Sequence, residues 1–242
     1  MVNPRKLLWA LGHPQEALMS IAYRVRYPQY KRHVGPPELY SVIGRHQFEL
    51  LQLCGLCPNH SLLDVGCGSL RAGKLLIPYL QPGNYFGIEP NRDVLREGIR
   101  HNLDQATLEE QRPTFSYDTE FNLGVFGRQF DFLLAHSIFT HASQQQIRKC
   151  FIEARKVMSP TSVFLANYNK ADTDTDYTGT EWVYPAHVAY TFAGISALAE
   201  EAGLRCLELN SEHPAGASWT LTCDPKYSAQ LKEAISGAGL LS

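Results

Sequence analysis

The stretch that most constrains the fold is "LLDVGCGSLRAGKLLIPYL", residues 62–80. A short apolar run leads into a loop with two glycines, and the loop leads into a helical pattern that ends at Pro82-Gly83. Gly66 and Gly68 allow a sharp turn and let the backbone approach a ligand, whose polar or anionic groups the first amides of the helix can bind. Leu70 stands where a dinucleotide-binding loop has its third glycine, so the pattern argues against a bound pyrophosphate.

The same alternation of strand and helix continues through most of residues 60–210. Further strand patterns are "NYFGIEP", "TFSYD", "FDFLLAHS" and "SVFLANY", and the chain finishes with "RCLELN" and "SWTLTC". The clearest helix begins at a capping box of Ser143 and Gln146 and carries its apolar residues on one stripe. This order predicts a parallel sheet with helices on both faces and a C-terminal hairpin, with ligands bound beyond the carboxyl ends of the strands.

Length and composition predict one ordinary globular domain. The chain has 242 residues, of which 44% are hydrophobic and 19% charged, and it shows no repeat and no apolar run of transmembrane length. The net charge of −2 and the pI of about 6.5 provide no general attraction to nucleic acid or anionic lipid. We therefore expect no nucleic-acid partner.

The cysteines predict neither a metal site nor a disulfide framework. Six are present, but only Cys54 and Cys57 form a Cys-x-x-Cys pair, and no second pair completes a four-ligand zinc site. Free cysteines in core elements behave as small hydrophobic residues. We expect a reduced, cytoplasmic location.

The front of the chain is basic and the remainder acidic. Residues 1–45 carry seven Lys and Arg and two Glu, a charge of +5 that leaves −7 for the rest. Apolar and aromatic residues lie between these cations, and Pro4, Pro14 and Pro28 divide the region into short pieces. This pattern predicts a helical flap that packs on the body, and no secretory signal sequence is recognisable. A helix on a membrane surface has the same pattern, so peripheral membrane contact through residues 1–35 is the alternative.

A carboxylate follows the second strand. Glu89 lies 21 residues after Gly68, and a carboxylate at that position is suited to accept hydrogen bonds from both hydroxyls of a ribose. Together with the two-glycine loop, it predicts a site for a nucleoside that carries something other than a diphosphate.

Four motifs now point to a family. In chain order, "LLDVGCGSLRAG", "YFGIEPN", "FDFLLAHSIFTHAS" and "ARKVMSPTSVFLANY" resemble the motifs of class I S-adenosylmethionine-dependent methyltransferases, in particular bacterial members that act on small molecules. The resemblance covers residues 40–225. It implies a Rossmann-like, doubly wound, mostly parallel seven-stranded sheet with a C-terminal antiparallel hairpin. The departures are Leu70 and the "SPTS" segment, which stands where many relatives have Pro-Gly-Gly at a surface turn.

The resemblance also implies a domain organisation and a set of cofactor contacts. Residues 46–242 would form the domain that binds S-adenosylmethionine, preceded by the helical extension of residues 1–45. Asp64, Gly66 and Gly68 would surround the methionine part of the cofactor, and Glu89 would hold the ribose. The competing interpretations are a glycine turn without a ligand and an ordinary surface carboxylate.

Three further residues complete the predicted cofactor site. Asp118, after the third strand, would lie beside the adenine amino group, and Ser137 follows the fourth strand. Arg71 either pairs with the cofactor carboxylate, for which bidentate geometry favours arginine, or lies solvated on the first turn of the helix.

Histidines after the fourth strand are the candidates for catalysis. The sulfonium is already a strong electrophile, so the protein mainly has to aim an acceptor lone pair at the methyl group. A hydroxyl acceptor also benefits from a base, and histidine titrates in the right range. His136 and His141 flank the strand end, and we expect His141 to be the base unless it only shapes the loop. His187 and His213 are weaker candidates.

The long loop after the fifth strand is expected to cover the acceptor. Its segment "DTDTDYTG" suggests calcium, but Tyr177 and Val183 occupy the positions where an EF-hand loop needs glycine and glutamate. A solvated, mobile lid is the remaining interpretation. Trp182, Tyr184 and Trp219 either wall the acceptor pocket or belong to the core.

The sequence therefore predicts a methyltransferase that moves a methyl group from S-adenosylmethionine to a small molecule, in the first place to a hydroxyl of a sugar or secondary metabolite. A nitrogen acceptor stays open, although the Asn/Asp-Pro-Pro-Tyr motif of many such enzymes is absent after the fourth strand. The glycine loop and the ribose carboxylate are also compatible with a nicotinamide-dependent oxidoreductase. A subunit that binds the cofactor without turning it over would carry the same motifs.

Overall fold

The computed structural model describes residues 22–23 and 25–241. Residues 1–21, which form a large part of the predicted flap over residues 1–45, lie outside the described residues. The predicted membrane contact through residues 1–35 falls mainly on the same segment and stays a prediction. In the described part of the chain, no helix has both the length and the apolar character needed to cross a membrane.

In this part of the chain, seven strands form one sheet. The strands are β1 (Leu62–Val65), β2 (Tyr85–Ile88), β3 (Thr114–Ser116), β4 (Phe130–Ala135), β5 (Met158–Tyr168), β6 (Arg205–Leu209) and β7 (Ser218–Cys223). Their order is β3-β2-β1-β4-β5-β7-β6. The first five strands run parallel, and β7 is antiparallel to both of its neighbours. The predicted fold class is confirmed.

Helices cover both faces of this sheet. They are α1 (Gln29–Arg32), α2 (Tyr40–Leu53), α3 (Gly73–Tyr79), α4 (Arg92–Asn102), α5 (Gln105–Gln111), α6 (Gln144–Val157), α7 (Phe192–Glu201) and α8 (Ser228–Ser236). Helices α6 and α7 bury apolar residues in one cluster, while α2, α3, α4 and α8 bury theirs in the other. Strand β1 serves both clusters, because Leu62 points into one and Leu63 into the other. Its carboxyl end is thus fixed between two packed layers.

The predicted capping box of α6 is confirmed. The Ser143 hydroxyl accepts a hydrogen bond from the Gln146 amide at 3.4 Å, and the Gln146 side-chain oxygen accepts from the Ser143 amide at 2.9 Å. From this start, Ile147, Cys150 and Phe151 are fully buried against the sheet. The cap therefore sets where the loop after β4 ends and the helix begins.

Two features differ from the expectations. The surface turn expected at "SPTS" is wrong, because these residues continue strand β5 through a shift of register against β4. The Ser162 hydroxyl bridges the two strands where the register shifts. It donates to the Phe130 carbonyl at 2.6 Å and accepts from the Ser159 amide at 2.7 Å. The sequence pattern also does not predict helices α5 and α8, since each is short and carries too few apolar residues for a clear period.

The cap of α6 makes a first prediction. Replacing Ser143 by Ala removes the side-chain acceptor of a helix N-terminus and should lower the free energy of unfolding by about 1 kcal/mol. Urea denaturation measures the change. Ser41→Ala is the control, because Ser41 is exposed in the first turn of α2 and its hydroxyl bonds only the Lys74 side chain. Equal stability of the two variants would contradict a structural role for the cap.

Candidate active site

The loop between β1 and α3 uses three left-handed backbone positions. Gly66, Gly68 and Leu70 have φ values of 73°, 56° and 61°. The first two suit glycine, whereas a left-handed leucine costs on the order of 1–2 kcal/mol. The Leu70 side chain is fully buried in the apolar cluster of helices α2, α3, α4 and α8. It occupies the space that a Cβ atom on Gly73 would need. Burial of the Leu70 side chain offsets the strain of its left-handed backbone. The absence of a side chain at Gly73 makes room for this burial.

Glu89 follows β2 and braces this loop. One carboxylate oxygen accepts a hydrogen bond from the Gly68 amide at 3.0 Å, and the other accepts from the Asn91 amide at 2.8 Å. Burial raises the pKa of Glu89, and the two amide bonds counteract that rise. Each oxygen keeps a second lone pair for a ligand donor.

Asp64 lies inside β1, directly below the loop. Its side chain is buried and accepts a hydrogen bond from the Tyr85 hydroxyl at 2.7 Å. Burial raises the pKa of Asp64 to about 7, against the opposing influences of the Tyr85 hydrogen bond and the charge of Arg71. The surroundings of Asp64 therefore disfavour the charged form of this carboxyl group.

Arg71 is a buried cation that joins three parts of the chain. Its guanidinium donates one hydrogen bond to the Val34 carbonyl and another, of 2.6 Å, to Nδ1 of His136. Its Nε is buried without a hydrogen-bond partner in the described structure. Burial lowers the pKa of Arg71 to about 10, which leaves the group charged at neutral pH. Only 6% of the residue is exposed, which excludes the solvated alternative.

His136 is enclosed at the end of β4. Because arginine can only donate, Nδ1 of His136 accepts, and Nε2 lies 2.8 Å from Nε2 of His213. Burial and the charge of Arg71 hold the pKa of His136 well below its ordinary value. The lone pair of the neutral ring is thus occupied by Arg71, Nε2 faces the His213 ring, and His136 keeps the Arg71 guanidinium in place.

His141 has the opposite character. Its Nδ1 lies 2.7 Å from the Ala186 carbonyl, which can only accept, so this nitrogen carries the proton. Nε2 then bears a lone pair, and among the described residues it makes no hydrogen bond. Burial lowers the pKa of His141, so the ring is neutral at neutral pH. The structure presents an available base.

Asp118 and Ser137 shape the loops beside the glycine turn. One oxygen of Asp118 accepts from the amides of Glu120 and Asn122, both at 2.8 Å. The Ser137 amide donates to the Asn167 side chain at 2.6 Å, which holds Ser137 at a φ of 59°. Asn167 is a buried polar residue that sequence reasoning missed, although its place in the apolar run "FLANY" is a recognisable signal.

The predicted site residues surround one cavity of about 1020 Å³. Those that line it are Asp64, Gly66, Gly68, Arg71, Glu89, Asp118, His136, Ser137 and His141. Trp182, Tyr184, His187 and His213 line it as well. Trp219 does not: it is a fully buried core residue whose indole donates to His46 at 3.0 Å, so for Trp219 the core interpretation holds.

Residues 33–36 form a strap across the cavity, which sequence reasoning did not place. All four line it, and the Val34 carbonyl is the partner of Arg71. A Cβ atom on Gly68 would lie 2.6 Å from a methyl group of Val34, so the strap packs directly on the glycine loop. On the far side, the Tyr184 hydroxyl donates to the His33 carbonyl at 3.3 Å.

The loop between β5 and α7 covers the cavity and is anchored beside it. The Val183 amide donates to the His141 carbonyl at 3.0 Å, and the Val188 amide donates to the Thr140 carbonyl at 2.9 Å. The acidic residues at 172, 174 and 176 do not line the cavity. Within the described residues, no group of three or more His, Cys, Asp or Glu side chains is arranged to hold a metal ion.

Comparison with known proteins identifies the domain. Residues 63–164 match a family model described as a methyltransferase domain. The chain carries a methyltransferase domain. This match agrees with the predicted superfamily, class I S-adenosylmethionine-dependent methyltransferases, and with the predicted enzyme class and cofactor.

Solved structures show the same fold. Magnesium protoporphyrin IX methyltransferase from Synechocystis PCC 6803 with bound SAM aligns with a TM-score of 0.56 and 13% identity over 75% of this chain and 80% of that one. The DhpI–SAH complex aligns with a TM-score of 0.60 and 16% identity over 84% and 94% of the two chains. The glycopeptide N-methyltransferase MtfA complexed with SAM aligns with a TM-score of 0.59 and 8% identity over 76% of this chain and 94% of that one. Identities this low show the fold alone.

The buried carboxyl of the methyltransferase domain makes a second prediction. A raised folded-state pKa stabilises the protein at low pH, and this contribution is lost as pH rises from 3.8 to about 7. Asp64→Asn should remove the loss, because asparagine is uncharged and its oxygen can still accept from Tyr85. Relative to wild type, we expect its free energy of unfolding to rise across that range by roughly 4 kcal/mol.

Denaturation of the apo protein at several pH values measures this difference. Asp93→Asn, at an exposed position of α4, is the control and should follow the wild-type profile. Parallel profiles for wild type and Asp64→Asn would show that Asp64 does not carry the pH dependence.

Proposed function

We propose that this methyltransferase transfers a methyl group to the hydroxyl oxygen of a small molecule, a sugar or secondary metabolite, with His141 as the base. The tautomer of His141 is the observation that supports this most directly. Its proton is held on Nδ1 by the Ala186 carbonyl, and the Nε2 lone pair is available in a ring that lines the same cavity as Glu89 and the glycine loop.

The residues at the other end of the cavity fit the cofactor. The buried, unpartnered Nε of Arg71 is a donor that a carboxylate would satisfy, and arginine binds carboxylates with two parallel hydrogen bonds. Glu89 retains acceptor capacity for the two ribose hydroxyls. We propose that Asp64 and the Gly66–Gly68 turn contact the methionine part, and that Asp118 and Ser137 line the adenine side.

The cofactor residues make a third prediction. Glu89→Gln replaces a carboxylate by a neutral amide with one oxygen, so it should weaken both the brace to Gly68 and the ribose contacts. We expect the Kd of S-adenosylhomocysteine to rise at least tenfold, since hydrogen bonds to charged groups contribute about 1.5–3 kcal/mol each. Calorimetry measures this value, with Glu97→Gln on the surface of α4 as the control.

The same titration separates this function from an oxidoreductase. Wild-type protein should release heat with S-adenosylhomocysteine and none with NAD, because Leu70 replaces the glycine that pyrophosphate binding needs. Binding of NAD without binding of S-adenosylhomocysteine would overturn the proposal.

The acceptor proton is the task of His141. When bound, the cofactor supplies an electrophilic methyl group, so the chain has to position the acceptor and take up its proton. The Nε2 lone pair can receive that proton, and the Ala186 carbonyl keeps the ring in the required tautomer. His136 is not available for this task, because its Nδ1 lone pair already accepts from the Arg71 guanidinium.

A fourth prediction concerns the base. His141→Gln should lower kcat about 100-fold or more, the usual contribution of general-base catalysis, and leave the Kd of S-adenosylhomocysteine unchanged. Burial lowers the pKa of His141 below the ordinary histidine value of 6.5. Above pH 6.5, kcat should therefore not depend on the protonation of His141, and it should fall only at lower pH. His101→Gln, on α4 outside the cavity, is the control.

Two outcomes would replace the proposal. Unchanged turnover of His141→Gln would assign the ring a structural role in the loop, and preferred transfer to amines would make the enzyme an N-methyltransferase. Binding of S-adenosylhomocysteine with no transfer to a broad panel of hydroxyl and amine acceptors would indicate a non-catalytic subunit.

We also propose that residues 1–45 are an extension that helps to close the cavity of a domain formed by residues 46–242. The strap at residues 33–36 supports this, because it contacts Arg71 on one side and Tyr184 on the other. A cytoplasmic location is supported by the six cysteines, all of which are free and five of which are buried.

A further inference from the structure

Aromatic rings surround the proposed base. The ring centroids of His187, Tyr184 and Trp182 lie 4.6, 5.1 and 5.6 Å from that of His141. We call these four residues the acceptor chamber, and all of them line the cavity. Trp182 and Tyr184 are 41% and 47% exposed although they are large aromatic side chains. Exposed aromatic surface in a concave site is typical of a binding surface for an apolar ligand.

The chamber is held in place before any ligand binds. Val183 and Val188 flank the chamber residues and are tied by backbone hydrogen bonds to the 140–141 segment. The contact from His141 to the Ala186 carbonyl adds a side-chain tie between the same two segments. Pre-positioned rings lose little freedom when a ligand binds, which favours a rigid planar partner.

The distribution of charge argues against a cationic acceptor. Asp64, Glu89 and Asp118 are the carboxylates among the described residues that line the cavity, and they lie at or just after the ends of β1, β2 and β3. The chamber itself contains imidazole and other aromatic rings and no carboxylate. Arg32, which precedes the strap, adds a positive charge to the lining. An ammonium group would enter this end of the cavity without a counter-ion.

We infer that the acceptor is an aryl hydroxyl, whose planar ring lies among Trp182, Tyr184 and His187 and whose oxygen faces His141. This inference rests on the proposed O-methyl transfer. The aryl oxygen forms a bond to the methyl carbon as the carbon–sulfur bond breaks with its electron pair kept by sulfur, and the hydroxyl proton passes to Nε2 of His141. The products are an aryl methyl ether and S-adenosylhomocysteine.

The test measures binding to the full-length protein saturated with S-adenosylhomocysteine. Calorimetry compares the aryl hydroxyls phenol, catechol and 2-naphthol with decahydro-2-naphthol, which has the hydroxyl but no flat ring, and with benzylamine, which is cationic. Methyl transfer from labelled S-adenosylmethionine to each compound is measured in parallel. We expect at least one aryl hydroxyl to bind and to be methylated, and we expect 2-naphthol to bind about tenfold more tightly than its saturated analogue.

Variants assign this preference to the chamber. Trp182→Leu and Tyr184→Leu should each weaken 2-naphthol binding about fivefold to tenfold, and Trp182→Phe should restore most of the loss. The Kd of S-adenosylhomocysteine should not change in either Trp182 variant, which also verifies their folding. Tyr117→Leu is the matched control, because Tyr117 is 40% exposed, lies under the Arg92 guanidinium and does not line the cavity.

Three results would overturn the inference while leaving the proposed function intact. They are binding of S-adenosylhomocysteine without binding of any aryl hydroxyl, equal affinity for 2-naphthol and decahydro-2-naphthol, and wild-type affinity in both leucine variants. Preferred binding and methylation of benzylamine would overturn both the aryl hydroxyl and the oxygen acceptor. Loss of S-adenosylhomocysteine binding by the wild-type protein would instead defeat the proposed function itself.

Discussion

The hydrogen bond from the Gly68 amide to the Glu89 carboxylate organises the site. Parallel pairing of β1 with β2 aligns Val65 with Ile88, so the glycine loop and the carboxylate leave neighbouring strands at the same edge of the sheet. The 3.0 Å bond then closes the gap between them. The Gly66 and Cys67 amides also donate to the Ile88 carbonyl, at 2.8 and 3.0 Å, so the bond from Gly68 to Glu89 extends a backbone attachment of the loop to the end of β2. The end of the cavity beside the glycine loop depends on these three bonds.

Arg71 extends this organisation to the rest of the cavity. A buried cation is tolerated only where hydrogen-bond partners compensate its loss of water, and here they come from the strap and from His136 after β4. His136 in turn contacts His213, which precedes β7. One guanidinium thus connects the extension, the centre of the sheet and its antiparallel end.

Most of the sheet, and the glycine loop with its carboxylate, could be predicted from local sequence patterns. The alternation of strands and helices predicts the parallel sheet, because a parallel strand needs a crossover and both of its faces must be covered. The loop motif and the carboxylate 21 residues later predict the cofactor end, since both lie at strand ends whose position the fold determines. The cap at Ser143 is equally local. The short helix α8 and the register shift at Ser162 were not predicted, because neither has a periodic sequence pattern of its own.

What the sequence determined by itself is the order of the elements, the cofactor motif and the residue types available for catalysis. Only the tertiary structure decided which of them can act. His136 and His141 are both histidines after the same strand, yet the lone pair of the first is occupied by Arg71 and that of the second has no partner among the described residues. In the same way, the fold places Trp182 in the cavity lining and Trp219 in the core, although the residue type is the same. Protonation, burial and access depend on partners that are distant in the chain, such as Ala186, which lies 45 residues from His141.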